Sequence, residues 1–139
     1  MNFPKGTHTF YGHFHITITS GEAEVCGAQL MAGFSREIAA PLIGAPMTFK
    51  TENGFSMEIE SISPEELAQC EQHIYPLKRA PDGYSMIVPG VCYSSVVPGL
   101  VFNDTMKTPI SKWLDKPPSK LLITGNKGLG KSTLCRYAV

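Results

Sequence analysis

The chain has 139 residues, with 12 Lys or Arg against 12 Asp or Glu and a formal net charge of zero, which leaves room for one ordinary domain or for one small domain and part of another. The longest nearly apolar run, residues 38–47, is too short to cross a bilayer as a helix and contains Pro41 and Pro46, and residues 1–6 lack the apolar core of a signal peptide, so no membrane partner is expected. Cys26, Cys70, Cys92 and Cys135 include no C-x-x-C pair, which removes the usual zinc-knuckle and redox motifs and predicts a reduced intracellular setting.

In chain order, the first strong pattern runs from Phe14 to Thr19, where Phe14, Ile16 and Ile18 alternate with His15, Thr17 and Thr19. Such a period of two predicts a half-buried strand. Ser20-Gly21-Glu22 is expected to break it, with a second strand over residues 23–26 before Gly27. His8, His13 and His15 cluster nearby, but no acidic or cysteine partner lies at a metal-ligand spacing, so they are read as part of an exposed polar face. Residues 47–50 and 55–60 alternate again around Asn53-Gly54, a strong hairpin signal.

Ser63-Pro64-Glu65-Glu66 predicts a helix start, with Ser63 as cap, Pro64 in the first turn and Glu66 closing a capping box; the helix would carry Leu67, Cys70 and Ile74 and end near Pro76. Pro81-Asp82-Gly83 returns the chain to an apolar run at Met86-Ile87-Val88, and residues 92–97 predict one more strand. Thr108-Pro109 resembles a cap and first-turn proline, opening a short helix whose apolar face is Ile110, Trp113 and Leu114 and which Pro117-Pro118 ends. Trp113 is read as core rather than as a base-stacking platform.

Charge is unevenly spread along this order. Residues 1–106 hold five Lys or Arg and eleven Asp or Glu, whereas residues 107–139 hold seven against Asp115 alone, so the second part would attract a polyanion.

That second part contains Gly125-Asn126-Lys127-Gly128-Leu129-Gly130-Lys131-Ser132-Thr133, which satisfies G-x-x-x-x-G-K-[ST] at every fixed position. Glycines let the backbone curl so that successive N–H groups point at phosphate oxygens, and a helix beginning at the loop adds the positive end of its dipole. Lys131 would reach the β- and γ-phosphates as the catalytic point charge, Ser132 would place its hydroxyl on Mg²⁺, and Thr133 would offer a further donor. Leu121 to Thr124 suit a buried strand before the loop, and Leu134, Tyr137 and Ala138 recur at helical spacing after it. The expected cofactors are therefore ATP and Mg²⁺.

The segment from Gly21 to Leu30, then Thr108-Pro109 with its short helix, then Gly125 to Thr133, in this order, resemble the polynucleotide 5′-hydroxyl kinases of the RNA-processing type. Gly128 to Arg136 is also close to that family's loop and first helix, while Cys26 stands where the family has an aromatic residue and Gln29 where it has an acid. The long approach from Gly83 to Asp104 is more similar to the ribosomal-RNA processing branch than to the messenger-RNA cleavage branch. What the resemblance implies is transfer of the ATP γ-phosphate to the 5′-hydroxyl of RNA or DNA, a partner RNA-processing complex, and a nuclear, even nucleolar, location.

The fold expected is α/β with a β-rich N-terminal domain: a β-sandwich-like unit over residues 1–106, then, over residues 107–139, the opening strand, P-loop and helix of a truncated P-loop kinase domain. A carboxylate for Mg²⁺ on a later strand would fall beyond Val139, so little transfer is expected from this chain alone. The competing readings are another P-loop ATPase or GTPase, and a non-catalytic interaction fragment.

Overall fold

The structure is a computed structural model that describes residues 1–42, 44–63, 65–66, 77–99, 104–115 and 122–124. Two compact units divide the chain, Met1–Val101 and Phe102–Val139.

The first unit is organised by one strand. β1 covers Asn2–Phe3 and β2 runs for 20 residues, Gly6–Val25. Laid straight, β2 would reach about 65 Å at ~3.3 Å per residue, about twice the ~30 Å diameter of a small domain. It has to bend, and it does so with glycines: Gly12 has φ +133°, and Gly21, with φ +73°, follows a register shift between Ile18 and Ser20. The Ser20-Gly21-Glu22 stretch therefore does not end the strand as the sequence suggested. It kinks it.

β3 (Ala28–Met31), β4 (Ser35–Ala40), β5 (Met47–Thr51), β6 (Phe55–Ser61), β7 (Ser85–Val88) and β8 (Val91–Ser94) complete a single antiparallel sheet. The β-rich character expected for this region is present, and the strands form one curled sheet. Curling is visible in the register: Lys50 of β5 pairs with Thr7 near the start of β2 and with Glu24 near its end. Both edges of β5 are thus taken by one neighbour.

This arrangement corrects the hairpin reading of Asn53-Gly54. β5 and β6 have no pairing with each other; Phe49 to Ser61 instead runs antiparallel along β2 from Val25 back to Phe14, with an excursion at residues 52–54. An Asn-Gly turn reverses a chain only when the flanking strands can pair, and the edges of β5 are already occupied. Thr51 shapes the excursion, its Oγ1 donating to the Glu22 carbonyl at 2.9 Å and accepting from the Gly54 N–H at 3.0 Å.

Other turns follow local chemistry. Cys26 (φ +48°) and Gly27 (φ +83°) form a two-residue connection between Val25 and Ala28, which pair. Positive φ at both central positions suits the right-handed twist of the flanking strands. Pro89-Gly90 joins β7 to β8, with Gly90 at φ +77°. β8 ends at Ser94, earlier than the 92–97 expected, because the Ser94 hydroxyl accepts from the N–H groups of Val96 and Val97 at 3.2 and 3.0 Å and turns the chain. Ser63 and Glu66 form the expected capping box: the Ser63 N–H donates to Glu66 Oε2 at 2.9 Å and the Glu66 N–H to Ser63 Oγ at 3.2 Å. The rest of that helix, residues 67–76, lies outside the described residues.

The core holds the even-numbered face of β2 (Phe10, Phe14, Ile16, Ile18) with Phe49, Phe55, Met57 and Val91. Aromatic contacts dominate one end, where Phe3 stacks on Phe55 with centroids 5.0 Å apart and Phe10 meets Phe49 edge-on at 5.3 Å.

In the second unit, α1 spans Asp104–Leu114. It begins before the predicted Thr108 cap, and Pro109 lies inside it. Asp104 in the first turn and Lys112 in the last complement the helix dipole, which favours the earlier start, while the missing Pro109 N–H leaves the Thr105 carbonyl without its helical donor. Ile110 is buried, and Trp113 is half-buried with Nε1 shielded and unpartnered among the described residues.

Candidate functional site

All nine loop residues, Gly125 to Thr133, lie outside the described residues, as do Leu134, Tyr137 and Ala138. Residues 122–124 form no strand, and Leu122 is 85% exposed, so the buried strand expected before the loop is not formed there.

Of the three segments on which the family resemblance rests, the first, Gly21 to Leu30, is described from end to end. Gly21 to Val25 closes β2 and Ala28 to Leu30 opens β3, with Ala23 opposite Leu30 and Glu24 opposite Gln29. Ala23 is fully buried while Glu22 and Glu24 on either side of it are half-buried, so the alternation of small apolar and acidic residues is the signature of a strand with one face on the core. Cys26 occupies the exposed turn.

Of the three N-terminal histidines read as an exposed polar face, His8 and His13 are buried and His15 is half-buried. His8 belongs to the core-facing set of β2. Its Nε2 donates to the Pro4 carbonyl at 2.7 Å, which leaves Nδ1 of the neutral ring to accept from the Tyr93 hydroxyl at 2.8 Å. Both ring nitrogens are thereby satisfied inside an aromatic cluster, which is a structural role.

His13 lies on the other face of β2. Its Nε2 bonds to Glu37 Oε1 of β4, and its Nδ1 is buried without a partner among the described residues. Sequence reasoning missed Glu37 because β4 was not anticipated: Arg36 interrupts the alternation of Phe34, Ile38 and Ala40 that would have revealed a strand. His15 stands between Glu37 on β4 and Glu60 on β6 in register, and Thr17 Oγ1 lies 2.9 Å from Ser35 Oγ. Among the described residues no group of three His, Cys, Asp or Glu side chains could hold a metal ion.

Four described groups have shifted titration, Tyr11, Glu52, Glu66 and Cys92, and two of them have a charged or phenolic neighbour. Hydrogen bonding and charge from Lys5, and then from Lys50, hold the Glu52 carboxyl below the usual carboxylate range, with Nζ–O distances of 3.2 and 3.4 Å. Burial, and then the neighbouring Tyr84, push the Tyr11 phenol up; the two rings are 5.2 Å apart and Tyr11 Oη donates to the Gly44 carbonyl at 3.3 Å.

No protein-family model matches the chain, and no curated protein matches it. Among solved structures it is similar to a chain in the structure of wild-type Clp1p–Pcf11p (454–563), with a TM-score of 0.50 and 11% identity, over 99% of this chain and 27% of that one. The likeness is one of fold. The chain thus spans about a quarter of that neighbour's length.

Proposed function

We propose that this chain is the N-terminal, nucleotide-binding part of a protein of the polynucleotide 5′-hydroxyl kinase type. The observation that carries the reading is a conjunction: a complete phosphate-loop motif at Gly125 to Thr133, preceded by a β-rich unit, in a chain whose fold is similar to part of a Clp1p–Pcf11p structure. Nothing in that likeness favours the ribosomal-RNA branch over the messenger-RNA one. In this reading residues 107–139 open the P-loop kinase domain, the loop cradles the phosphates of ATP, Lys131 offsets charge on the β- and γ-phosphates, and Ser132 reaches Mg²⁺. The complete protein would transfer the γ-phosphate to an RNA or DNA 5′-hydroxyl in the nucleus.

Calorimetric titration of the 139-residue chain with ATP in the presence and absence of Mg²⁺ tests the reading. Saturable, Mg²⁺-strengthened binding that is lost in Lys131→Ala supports it; equal binding by the two chains, or none by either, overturns it.

A second reading rests on the solved neighbour being an assembly of two proteins: the β-rich unit serves as a docking module within an RNA-processing complex. Binding of an RNA-processing factor that survives Lys131→Ala supports that role.

A further inference from the structure

We propose that Asn53 is a site of slow spontaneous conversion to aspartate and isoaspartate, held in check by the hydroxyl of Thr51. The reaction needs a backbone nitrogen that can reach the preceding side-chain amide. Once hydroxide has taken its proton, the Gly54 nitrogen attacks Asn53 Cγ; the new N–Cγ bond closes a five-membered imide, the bond from Cγ to the side-chain nitrogen breaks, and that nitrogen takes a proton from water and leaves as ammonia, which returns the hydroxide. Water attacking Cγ breaks the N–Cγ bond and gives aspartate, whereas water attacking the Asn53 main-chain carbonyl breaks its bond to the Gly54 nitrogen and leaves the chain running through Cγ as isoaspartate. No other reactant is required.

Two observations favour the reaction at this site and a third opposes it. Asn53 is exposed, its amide is held by no hydrogen bond among the described residues, and it borders an open depression of about 410 Å³ where water has access. Its successor has to be glycine: Gly54 has φ +87°, and a Cβ there would stand 3.0 Å from the Phe3 carbonyl oxygen. The fold therefore enforces the neighbour that hinders attack least. Against these stands the third observation, that the attacking nitrogen is engaged. Its N–H donates to Thr51 Oγ1 at 3.0 Å, and that oxygen is fixed by its own donation to the Glu22 carbonyl at 2.9 Å, on a side chain that is itself buried. Removing the Gly54 proton breaks this bond, so Thr51 raises the barrier to the first step by about the worth of one hydrogen bond.

Conversion would matter to the fold at this position. A new carboxylate would stand next to Glu52, and isoaspartate would lengthen the main chain where Gly54 packs against Gly21.

The test is to age the full chain in warm, mildly alkaline buffer and follow each asparagine by peptide mapping with isoaspartate detection. Product at Asn53 should accumulate roughly two- to tenfold faster in Thr51→Val, which keeps the side-chain shape but not the acceptor. Thr51→Ser, which keeps the hydroxyl, should match the wild type. Asn2, Asn103 and Asn126 serve as internal clocks, and their rates should not change. Equal rates at Asn53 in wild type and Thr51→Val, absence of product in both, or acceleration of all four asparagines by a common factor would each overturn the proposal, the last by showing general unfolding.

Discussion

His8 and Tyr93 stack with ring centroids 5.9 Å apart while the tyrosine hydroxyl lies 2.8 Å from His8 Nδ1, so one pair supplies both an apolar face and the partner for a buried nitrogen. With Nε2 bound to the Pro4 carbonyl, the imidazole ties β8 and the β1–β2 connection to β2. Burying a polar atom is tolerable only while its partner stays in place.

Tyr93→Phe keeps the stacked ring and removes only the hydroxyl. Stability should fall by about 1–3 kcal/mol, the cost of leaving a buried acceptor unpaired. Urea unfolding checks this, and an unchanged midpoint with an unchanged slope would show that His8 Nδ1 finds another partner.

Gly21 and Gly33 separate two effects of adding a methyl group. Both have positive φ (+73° and +93°), but a Cβ on Gly21 would stand 2.5 Å from the Gly54 carbonyl oxygen and 2.9 Å from Phe55 Cα, whereas one on Gly33 would meet nothing within 4 Å. Gly33→Ala should cost about 1–2 kcal/mol of backbone strain, and Gly21→Ala about 3 kcal/mol or more, because the clash adds to that strain. Equal losses in thermal unfolding would mean that β2 and β6 can move apart at no cost.

The lowered carboxyl of Glu52 predicts a pH dependence with a definite sign. A carboxyl whose folded pKa is depressed contributes stability above its ordinary value and loses it as pH falls through the lowered one, so this contribution vanishes on the acid side. Because Lys5 is the larger cause, Lys5→Ala should raise the Glu52 midpoint toward the ordinary carboxylate value by more than Lys50→Ala does. Carboxyl-carbon NMR titration of the two variants reads this directly; the reverse ranking would mean that Lys50 is the closer partner in solution.

Lys131→Ala should weaken ATP binding roughly ten- to a hundredfold, the worth of a hydrogen bond to a charged group, and Lys131→Arg should not restore it, since a planar fork replaces a compact ammonium poorly inside a glycine cradle. Tyr93→Phe serves as the control: if it weakens ATP binding as strongly at a temperature where it remains folded, the loss in Lys131→Ala cannot be ascribed to the loop.

The elements legible in the sequence were those whose cause is local. A period of two put Phe14, Ile16 and Ile18 on the core face, and all three are fully buried. Ser63 and Glu66 needed only each other to make a capping box, and Met86 to Val88 lies in a strand. The loop motif, Gly125 to Thr133, is likewise a pattern of consecutive residues, and it lies outside the described residues.

Tertiary structure decided who pairs with whom. Asn53-Gly54 has the composition of a hairpin turn, yet Thr7 and Glu24 occupy both edges of Lys50, so the chain runs on along β2 instead of reversing. His13 alternates like an exposed residue and is buried against Glu37, a partner 24 positions away on a strand that Arg36 concealed. The physical reason is common to both. Side-chain alternation is a property of one strand and repeats every two residues, whereas an edge is satisfied by whichever distant segment reaches it first with a matching register, and no local pattern records that choice.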